Sequence, residues 1–220
     1  MYQHTWKTGD NALLLVGKVV CIGRNYAEHA KELNNPIPDE PVLFLKPSTA
    51  LVSADAPLLL REQLAPIHYE AELSILIGKP LTKATAEQAE DAIAGIGVAL
   101  DLTRREAQSE LKAKGLPWEL AKAFDGSCVQ SPFVPYQHDL AGTEYGLDIN
   151  GAARQRGDTA LMITPVLTLL SHVSQYFTLL PGDIVLTGTP KGVGQLNDGD
   201  VLTLTLSGDV LAQCRCEVSA

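Results

Sequence analysis

An apolar run with two acids at its start constrains the fold of this 220-residue chain most. Leu73-Ser74-Ile75-Leu76-Ile77 follows His68-Tyr69-Glu70-Ala71-Glu72 and ends at Gly78. This composition predicts a β-strand, in which alternate side chains share a face. Glu70 and Glu72 would then project from one face, roughly 6.7 Å apart, and both could reach one small cation. For two acids alone, a solvated polar strand face is the alternative interpretation.

Composition and charge narrow the classes of partner. Hydrophobic residues make up 45% of the chain, charged residues 20%, and the net charge is −9. These values are ordinary for a soluble globular protein, and the negative charge argues against nucleic acid or an anionic membrane as partner. No stretch approaches the roughly 20 apolar residues of a membrane helix, and residues 1–10 lack a signal-peptide pattern. We therefore expect a cytoplasmic protein, and we assign no role to its four cysteines.

Strand signals outnumber helix signals along the chain. Strands are predicted at 42–46, 71–77, 95–100, 184–187, 201–206 and 210–218, and Asn150-Gly151 predicts a hairpin turn. Helices are predicted at 25–33 and at 164–176. Two capping boxes, which begin at Thr85 and Thr103, predict further helices to about residue 95 and about residue 115. This uneven order predicts an α+β fold with a β-rich core rather than a doubly wound parallel sheet. Residues 1–16 are expected to form an N-terminal arm and residues 17–220 one catalytic domain.

A third acid, Asp101, lies at the end of a predicted strand. Strand ends are places where a rigid scaffold presents functional groups. Together with Glu70 and Glu72, Asp101 would complete an oxygen set that suits Mg²⁺ or Mn²⁺ rather than Zn²⁺. A plain helix N-cap is the alternative role for Asp101.

His29 and Glu32 are three residues apart on the first predicted helix and so share a face. A carboxylate beside an imidazole raises its basicity and fixes its orientation, as a general base requires. Exposed helix decoration is the alternative. Lys46 and Lys122 are single cations in apolar surroundings, where they could reach out to solvent or bind a substrate carboxylate.

A glycine-rich loop, Thr187-Gly188-Thr189-Pro190-Lys191-Gly192-Val193-Gly194, follows a predicted strand. It lacks the spacing of a phosphate-binding P-loop. The loop could be a simple tight turn, or its backbone N–H groups and Thr189 could cradle a carboxylate.

Six motifs, in order, resemble those of the fumarylacetoacetate hydrolase family. They are Gly23-Arg24-Asn25-Tyr26, Phe44-Leu45-Lys46-Pro47, His68-x-Glu70-x-Glu72-Leu73, Ala99-Leu100-Asp101, Lys122-Ala123-Phe124-Asp125 and the loop from Thr187 to Gly194. The likeness covers residues 19–206 and is strongest to the short, single-domain members, which include isomerases of aromatic catabolism. It implies a β-rich mixed β-roll or sandwich like the C-terminal domain of that family, with a few short helices, in a homodimer.

The resemblance also implies roles for individual residues. Mg²⁺ or Mn²⁺ would be held by Glu70, Glu72 and Asp101. The residues implied in catalysis are His29 and Glu32, as a pair on a lid, and Lys122. The residues implied in substrate binding are Arg24, Lys46, Gln108 and Thr189.

The implied activity is Mg²⁺-dependent hydrolysis of acylpyruvate-type 2,4-dioxo acids, with C–C cleavage through a metal-bound pyruvate enolate. We favour hydrolysis because His29 and Glu32 supply a water-activating pair. The alternatives are an oxaloacetate enol–keto tautomerase or decarboxylase, or a 2-hydroxyhepta-2,4-diene-1,7-dioate isomerase. A catalytically silent metal- or ligand-binding protein is the interpretation from a different class. In each enzymatic case the expected partner is a small 2-oxo or 2,4-dioxo acid.

Overall fold

Two large β-sheets, one two-stranded sheet and a few short helices make up the part of the chain that the structure describes. A computed structural model describes residues 2–33 and 36–219. The strands are β1 (Val19–Gly23), β2 (Val42–Lys46), β3 (Leu51–Ser53), β4 (Leu58–Arg61), β5 (His68–Tyr69), β6 (Ala71–Ile77), β7 (Ile93–Asp101), β8 (Cys128–Gln130), β9 (Val134–Pro135), β10 (Glu144–Ile149), β11 (Ala152–Asp158), β12 (Ile184–Leu186), β13 (Gly194–Gln195), β14 (Val201–Leu206) and β15 (Asp209–Ser219). The helices are α1 (Ala27–Glu32), α2 (Ala86–Glu90), α3 (Arg105–Ala113), α4 (Glu119–Lys122) and α5 (Val166–Tyr176).

The larger sheet carries the strands that matter for the site. Its order is β2-β1-β12-β6-β7-β8-β3, and β9 pairs with β7. Strand β6 is antiparallel to both of its neighbours, β12 and β7. Every residue of β6 is buried, which explains why its sequence is an almost unbroken apolar run rather than an alternating one.

The smaller sheet packs over the same core. Its order is β11-β10-β14-β15-β4, and β5 pairs separately with β13. Residues of β14 alternate between half-buried and buried, so that Leu202, Leu204 and Leu206 share the face that joins the main hydrophobic cluster. That cluster also contains Leu73, Ile75 and Ile77 of β6, and one core therefore lies between the two sheets.

The predicted α+β, β-rich architecture is confirmed. Strands at 42–46, 71–77 and 201–206 begin and end where the sequence predicts. The turn between β10 and β11 has positive φ angles at Asn150 (54°) and Gly151 (77°), as the Asn-Gly pair predicts.

The two helices that were predicted from capping boxes each differ from the structure at one end. The capping box at Thr85 is present, but α2 ends at Glu90 because the chain enters β7 only three residues later. Thr103 does not cap the next helix. Its hydroxyl donates to the carbonyl of Asp101 (3.1 Å), and α3 begins at Arg105.

The N-terminal residues lie against the larger sheet. The amide of Lys7 donates to the Phe133 carbonyl, and the Phe133 amide donates to the Thr5 carbonyl, both at 2.8 Å. The predicted division into an arm (1–16) and a catalytic domain (17–220) stays a prediction. Across the part of the chain that the structure describes, no helix is long and apolar enough to cross a membrane.

Candidate active site

The pairing of β6 with β7 brings the three predicted acids together. Glu72 pairs with Ala99, and the Asp101 amide donates to the Glu70 carbonyl at 2.8 Å. The end of β7 therefore lies beside the start of β6. Carboxylate oxygens of Glu70, Glu72 and Asp101 lie within 4.8 Å of one another, and all three side chains are buried. Burial excludes the interpretation of a solvated strand face. The N-cap alternative for Asp101 is also excluded, because the N-cap of α3 is Arg104.

Three cations surround the acid cluster. The ammonium of Lys122 lies 2.6 Å from Glu70 Oε2 and 2.5 Å from Asp101 Oδ2. The guanidinium of Arg105 pairs with Glu70 Oε1, and the ammonium of Lys46 lies 2.8 Å from Asp101 Oδ1. Both lysines are buried, so neither extends its amine to bulk solvent.

Burial and charge affect two of the acids in opposite directions. Burial acts to raise the pKa of Glu70, but Lys122 and Arg105 outweigh it and hold that pKa well below the usual range. Burial, followed by the charges of Asp101 and Glu70, raises the pKa of Glu72 well above its usual range. The amide of Gly188 donates to Glu72 Oε2 at 2.7 Å, which only partly offsets these effects.

The cluster fits a hard divalent cation. Three carboxylates within ligand distance of one point form the oxygen donor set that Mg²⁺ and Mn²⁺ prefer. Asp101 Oδ1 is buried and has no hydrogen bond among the described residues, although the ammonium of Lys46 is close enough for an ion pair. Burial and the charges of Asp101 and Glu70 raise the pKa of Glu72, and a bound cation would act in the opposite direction by favouring its ionised form. Glu70, Glu72 and Asp101 could therefore hold such an ion.

His29 and Glu32 form a hydrogen-bonded pair on α1. His29 Nδ1 lies 3.1 Å from Glu32 Oε2, and His29 is buried, which excludes exposed decoration. The other oxygen of Glu32 accepts a hydrogen bond from the Gly192 amide at 3.0 Å. On the exposed side of α1, Glu28 pairs with Lys191 at 2.8 Å. Two contacts therefore join α1 to the glycine-rich loop.

The glycine-rich loop donates backbone hydrogen bonds to carboxylates of the protein itself. Its Gly188 and Gly192 amides donate to Glu72 and Glu32 respectively. At Gly188 the φ angle is +98°, and an added Cβ would lie 2.7 Å from the Cβ of Asn25. Only glycine fits here, because both the backbone conformation and the space exclude a side chain.

One pocket collects most of the predicted site residues. Its lining includes Arg24, His29, Glu70, Glu72, Asp101, Gln108, Lys122 and Thr189, and its volume is about 40 Å³. Thr189 is fixed there because its hydroxyl donates to the Ala71 carbonyl and accepts from Gln155 Nε2. Glu32 lies behind His29, outside the lining. Lys46 is fully enclosed and also lies outside the lining, where it contacts Asp101 and the Ser127 hydroxyl (3.1 Å).

Two cations in the lining were not predicted from the sequence. Arg105 pairs with Glu70 and donates from Nη1 to Gln108 Oε1 at 2.7 Å. Its position three residues before Gln108 places both on one helix face, and this spacing could have identified it. Lys112, one turn beyond Gln108, also lines the pocket, and its ammonium lies 4.9 Å from the centre of the Trp118 ring.

The fumarylacetoacetate (FAA) hydrolase C-terminal family matches residues 18–219. This chain belongs to that family. It is 50% identical over 214 residues to oxaloacetate tautomerase YcgM of Escherichia coli (strain K12), covering 96% of this chain and 98% of that protein. It is 42% identical over 205 residues to the mitochondrial oxaloacetate tautomerase FAHD1 of Bos taurus, covering 92% and 90%.

Solved structures of the family share the fold. The crystal structure of fumarylpyruvate hydrolase from Pseudomonas aeruginosa in complex with Mn²⁺ and pyruvate has a TM-score of 0.88 at 37% identity, covering 99% of this chain and 95% of that one. The predicted family and fold class are confirmed, and the chain is an enzyme of this family. Among the activities considered, the relatives favour the oxaloacetate alternative over acylpyruvate hydrolysis.

Proposed function

We propose that this protein interconverts the enol and keto forms of oxaloacetate at a site that binds Mg²⁺ or Mn²⁺. The observation that carries the proposal is that the acid cluster and the imidazole of His29, held by Glu32, open onto one small pocket. Such a pocket offers a place for a 2-oxo acid and a base beside it. The relatives named as oxaloacetate tautomerases support this substrate.

The charge of the pocket supports a dianionic substrate. Among the described residues, its lining sets the cations Arg24, Arg105, Lys112 and Lys122 against the acids Glu70, Glu72 and Asp101. A bound divalent ion would add to the positive excess. This balance favours a substrate with two carboxylates over acetylpyruvate, which has one.

Each catalytic group has a position that suits proton transfer. A bound Mg²⁺ or Mn²⁺ would supply a Lewis acid for the 2-oxo oxygen. Glu32 engages Nδ1 of His29, so Nε2 is the nitrogen that removes a proton from C3 of the keto form and, in the reverse direction, returns it to C3 of the enolate. The oxygen at C2 exchanges its own proton with solvent when the enolate becomes the enol. Lys122, held between Glu70 and Asp101, provides positive charge beside the developing enolate.

The His29–Glu32 pair helps to distinguish between the candidate reactions. Decarboxylation of oxaloacetate breaks a C–C bond and needs no group to remove a proton, whereas tautomerisation needs one. Hydrolysis would use His29 as well, so the preference for tautomerisation over hydrolysis rests on the relatives and on the charge of the pocket.

The decisive experiment compares substrates under one condition. The decay of enol-oxaloacetate is monitored through its ultraviolet absorbance in the presence of Mg²⁺, Mn²⁺ or EDTA. Turnover of acetylpyruvate, fumarylpyruvate and 2-hydroxyhepta-2,4-diene-1,7-dioate is measured under the same conditions. We expect the highest kcat/KM for enol-oxaloacetate and loss of this activity in EDTA. Release of CO₂ from oxaloacetate should be slower than its tautomerisation. A higher kcat/KM for an acylpyruvate would favour hydrolysis instead. If none of these acids is turned over in a metal-dependent way, the result would favour a catalytically silent binding protein.

The cytoplasmic location and the homodimer expected from the sequence remain parts of this proposal. The family resemblance supports the homodimer, and light scattering on the purified protein measures the oligomeric state directly.

A further inference from the structure

Helix α3 presents three polar side chains to the pocket. Arg105, Gln108 and Lys112 all belong to the lining, and their spacing of three and four residues places them on one face. Arg105 contacts the acid cluster, while Lys112 lies two turns further along, a rise of roughly 10 Å between backbone positions. The helix therefore spans the pocket from the acid cluster to a more distant wall.

Lys112 differs from the other lysines of the site. Lys46 and Lys122 are each paired with acids of the cluster. In residues 2–33 and 36–219, by contrast, no carboxylate forms an ion pair with the ammonium of Lys112. The side chain is half-buried, and the face of Trp118 holds its ammonium. A half-buried cation without an acidic partner, in the wall of a pocket, is placed to receive an anion from outside the chain.

The surrounding charges agree with this placement. Burial, followed by the positive charges of Arg24, Arg105 and Lys122, lowers the pKa of Lys112 to about 8, and Glu70 opposes the shift. The neighbourhood therefore contains more positive than negative charge. An anionic ligand at this wall would relieve the repulsion and favour the charged form of Lys112.

We propose that Lys112 binds the substrate carboxylate farther from the metal and makes the site select dianionic over monoanionic 2-oxo acids. This proposal rests on the proposed function, since oxaloacetate has such a second carboxylate. It assigns Lys112 a role in specificity and not in proton transfer. The rival explanation is structural, with Lys112 serving only to pack against Trp118.

Equilibrium binding separates these two roles. Calorimetry with Mg²⁺ present measures the affinity of the full-length protein for oxaloacetate and for pyruvate, which lacks the second carboxylate. Lys112→Met keeps an apolar stem against Trp118 and removes the charge, whereas Lys112→Arg keeps the charge. Lys114→Met removes a nearby charge from an exposed position on the same helix end and is the matched control.

We expect Lys112→Met to weaken oxaloacetate binding by about 10- to 100-fold, the usual range for loss of a charge-assisted hydrogen bond. Pyruvate binding should change by less than about 2-fold, which is below the range of such a loss. Lys112→Arg should retain most of the preference for oxaloacetate, and Lys114→Met should match the wild type. In turnover, Lys112→Met should raise KM for enol-oxaloacetate much more than it lowers kcat.

The pH profile is a further readout that simple packing would not alter. In the wild type, affinity for oxaloacetate should fall as pH rises through about 8 and Lys112 loses its proton. Lys112→Met should lack this step.

Binding and turnover can fail independently in this design. A wild type without tautomerase activity, combined with a loss of oxaloacetate preference in Lys112→Met, would refute the proposed function and uphold the role of Lys112. The role is overturned if Lys112→Met keeps the wild-type preference or weakens both ligands equally. It is also overturned if the wild type binds oxaloacetate no more tightly than pyruvate.

Discussion

Replacement of Lys122 by methionine tests the electrostatic balance of the acid cluster. The ammonium of Lys122 contacts Glu70 Oε2 at 2.6 Å and Asp101 Oδ2 at 2.5 Å, and its side chain is only 4% exposed. Methionine preserves most of the side-chain volume and leaves the two buried carboxylates without this cation. The free energy of unfolding should fall by about 3–5 kcal/mol in EDTA at pH 7, as for other buried ion pairs that lose one partner.

For a chain of this size, each kcal/mol changes Tm by about 2–4 °C, so we expect a decrease of about 6–20 °C. The loss depends on pH because Lys122 and Arg105 hold the folded pKa of Glu70 below its ordinary value of 4.5. Stability from the ionised Glu70 is present above that ordinary value and is lost as pH falls through the lower, folded value. The penalty of Lys122→Met should therefore be largest near neutrality and shrink below about pH 4.

The assay is thermal unfolding of wild type and Lys122→Met, each in EDTA and in saturating Mg²⁺. A divalent ion would replace the missing positive charge, so Mg²⁺ should raise Tm more in the variant than in the wild type. Exposed Lys114→Met is the control and should behave as the wild type. A variant within about 1 kcal/mol of the wild type in EDTA, well short of the usual cost, would refute the reasoning. Equal effects of Mg²⁺ on both proteins would refute it as well.

Three further predictions concern the base, a ligand and the loop. His29→Ala should reduce kcat by about 10²- to 10⁴-fold and leave Mg²⁺ affinity by calorimetry nearly intact, whereas near wild-type turnover would exclude His29 as the base. Asp101→Ala should weaken Mg²⁺ binding, and an unchanged affinity by calorimetry would exclude it as a ligand. Gly188→Ala should lower Tm because its Cβ would meet Asn25 and strain the donor to Glu72. An unchanged Tm would contradict this view of the loop.

The acid cluster could be predicted because it follows from short-range rules. Glu70 and Glu72 are separated by two residues at the start of a strand, and this spacing gives one face whatever the rest of the fold does. Asp101 ends the neighbouring strand, and the antiparallel pairing brings that end to the same place. The His29–Glu32 pair follows equally from helical spacing.

The surroundings of these groups could not be predicted, because they depend on contacts between distant segments. Lys46 and Lys122 look alike in the sequence, yet one is enclosed behind Asp101 and the other lines the pocket. Their difference depends on where β2 and α4 pack, which local patterns do not specify. The sequence did not identify Arg105 as a site residue, because the capping-box pattern already accounted for its neighbours. It did not identify Lys112, because the sequence of the helix alone does not indicate that Trp118 lies beside this lysine.

The base His29 and the three acids lie in parts of the chain that differ greatly in their stability against local unfolding. The acids lie on paired strands in the middle of a sheet, whereas His29 lies on α1, a helix of six residues that would not persist alone. Segments of this kind open at low free energy while a buried ladder remains intact, and their amides exchange hydrogen first. An ion can thus outlast many openings of α1. The residence time of the ion would depend on the stability of the sheet. The fraction of bound substrate molecules that react would depend on how often the hydrogen bond between Glu32 and Gly192 is formed.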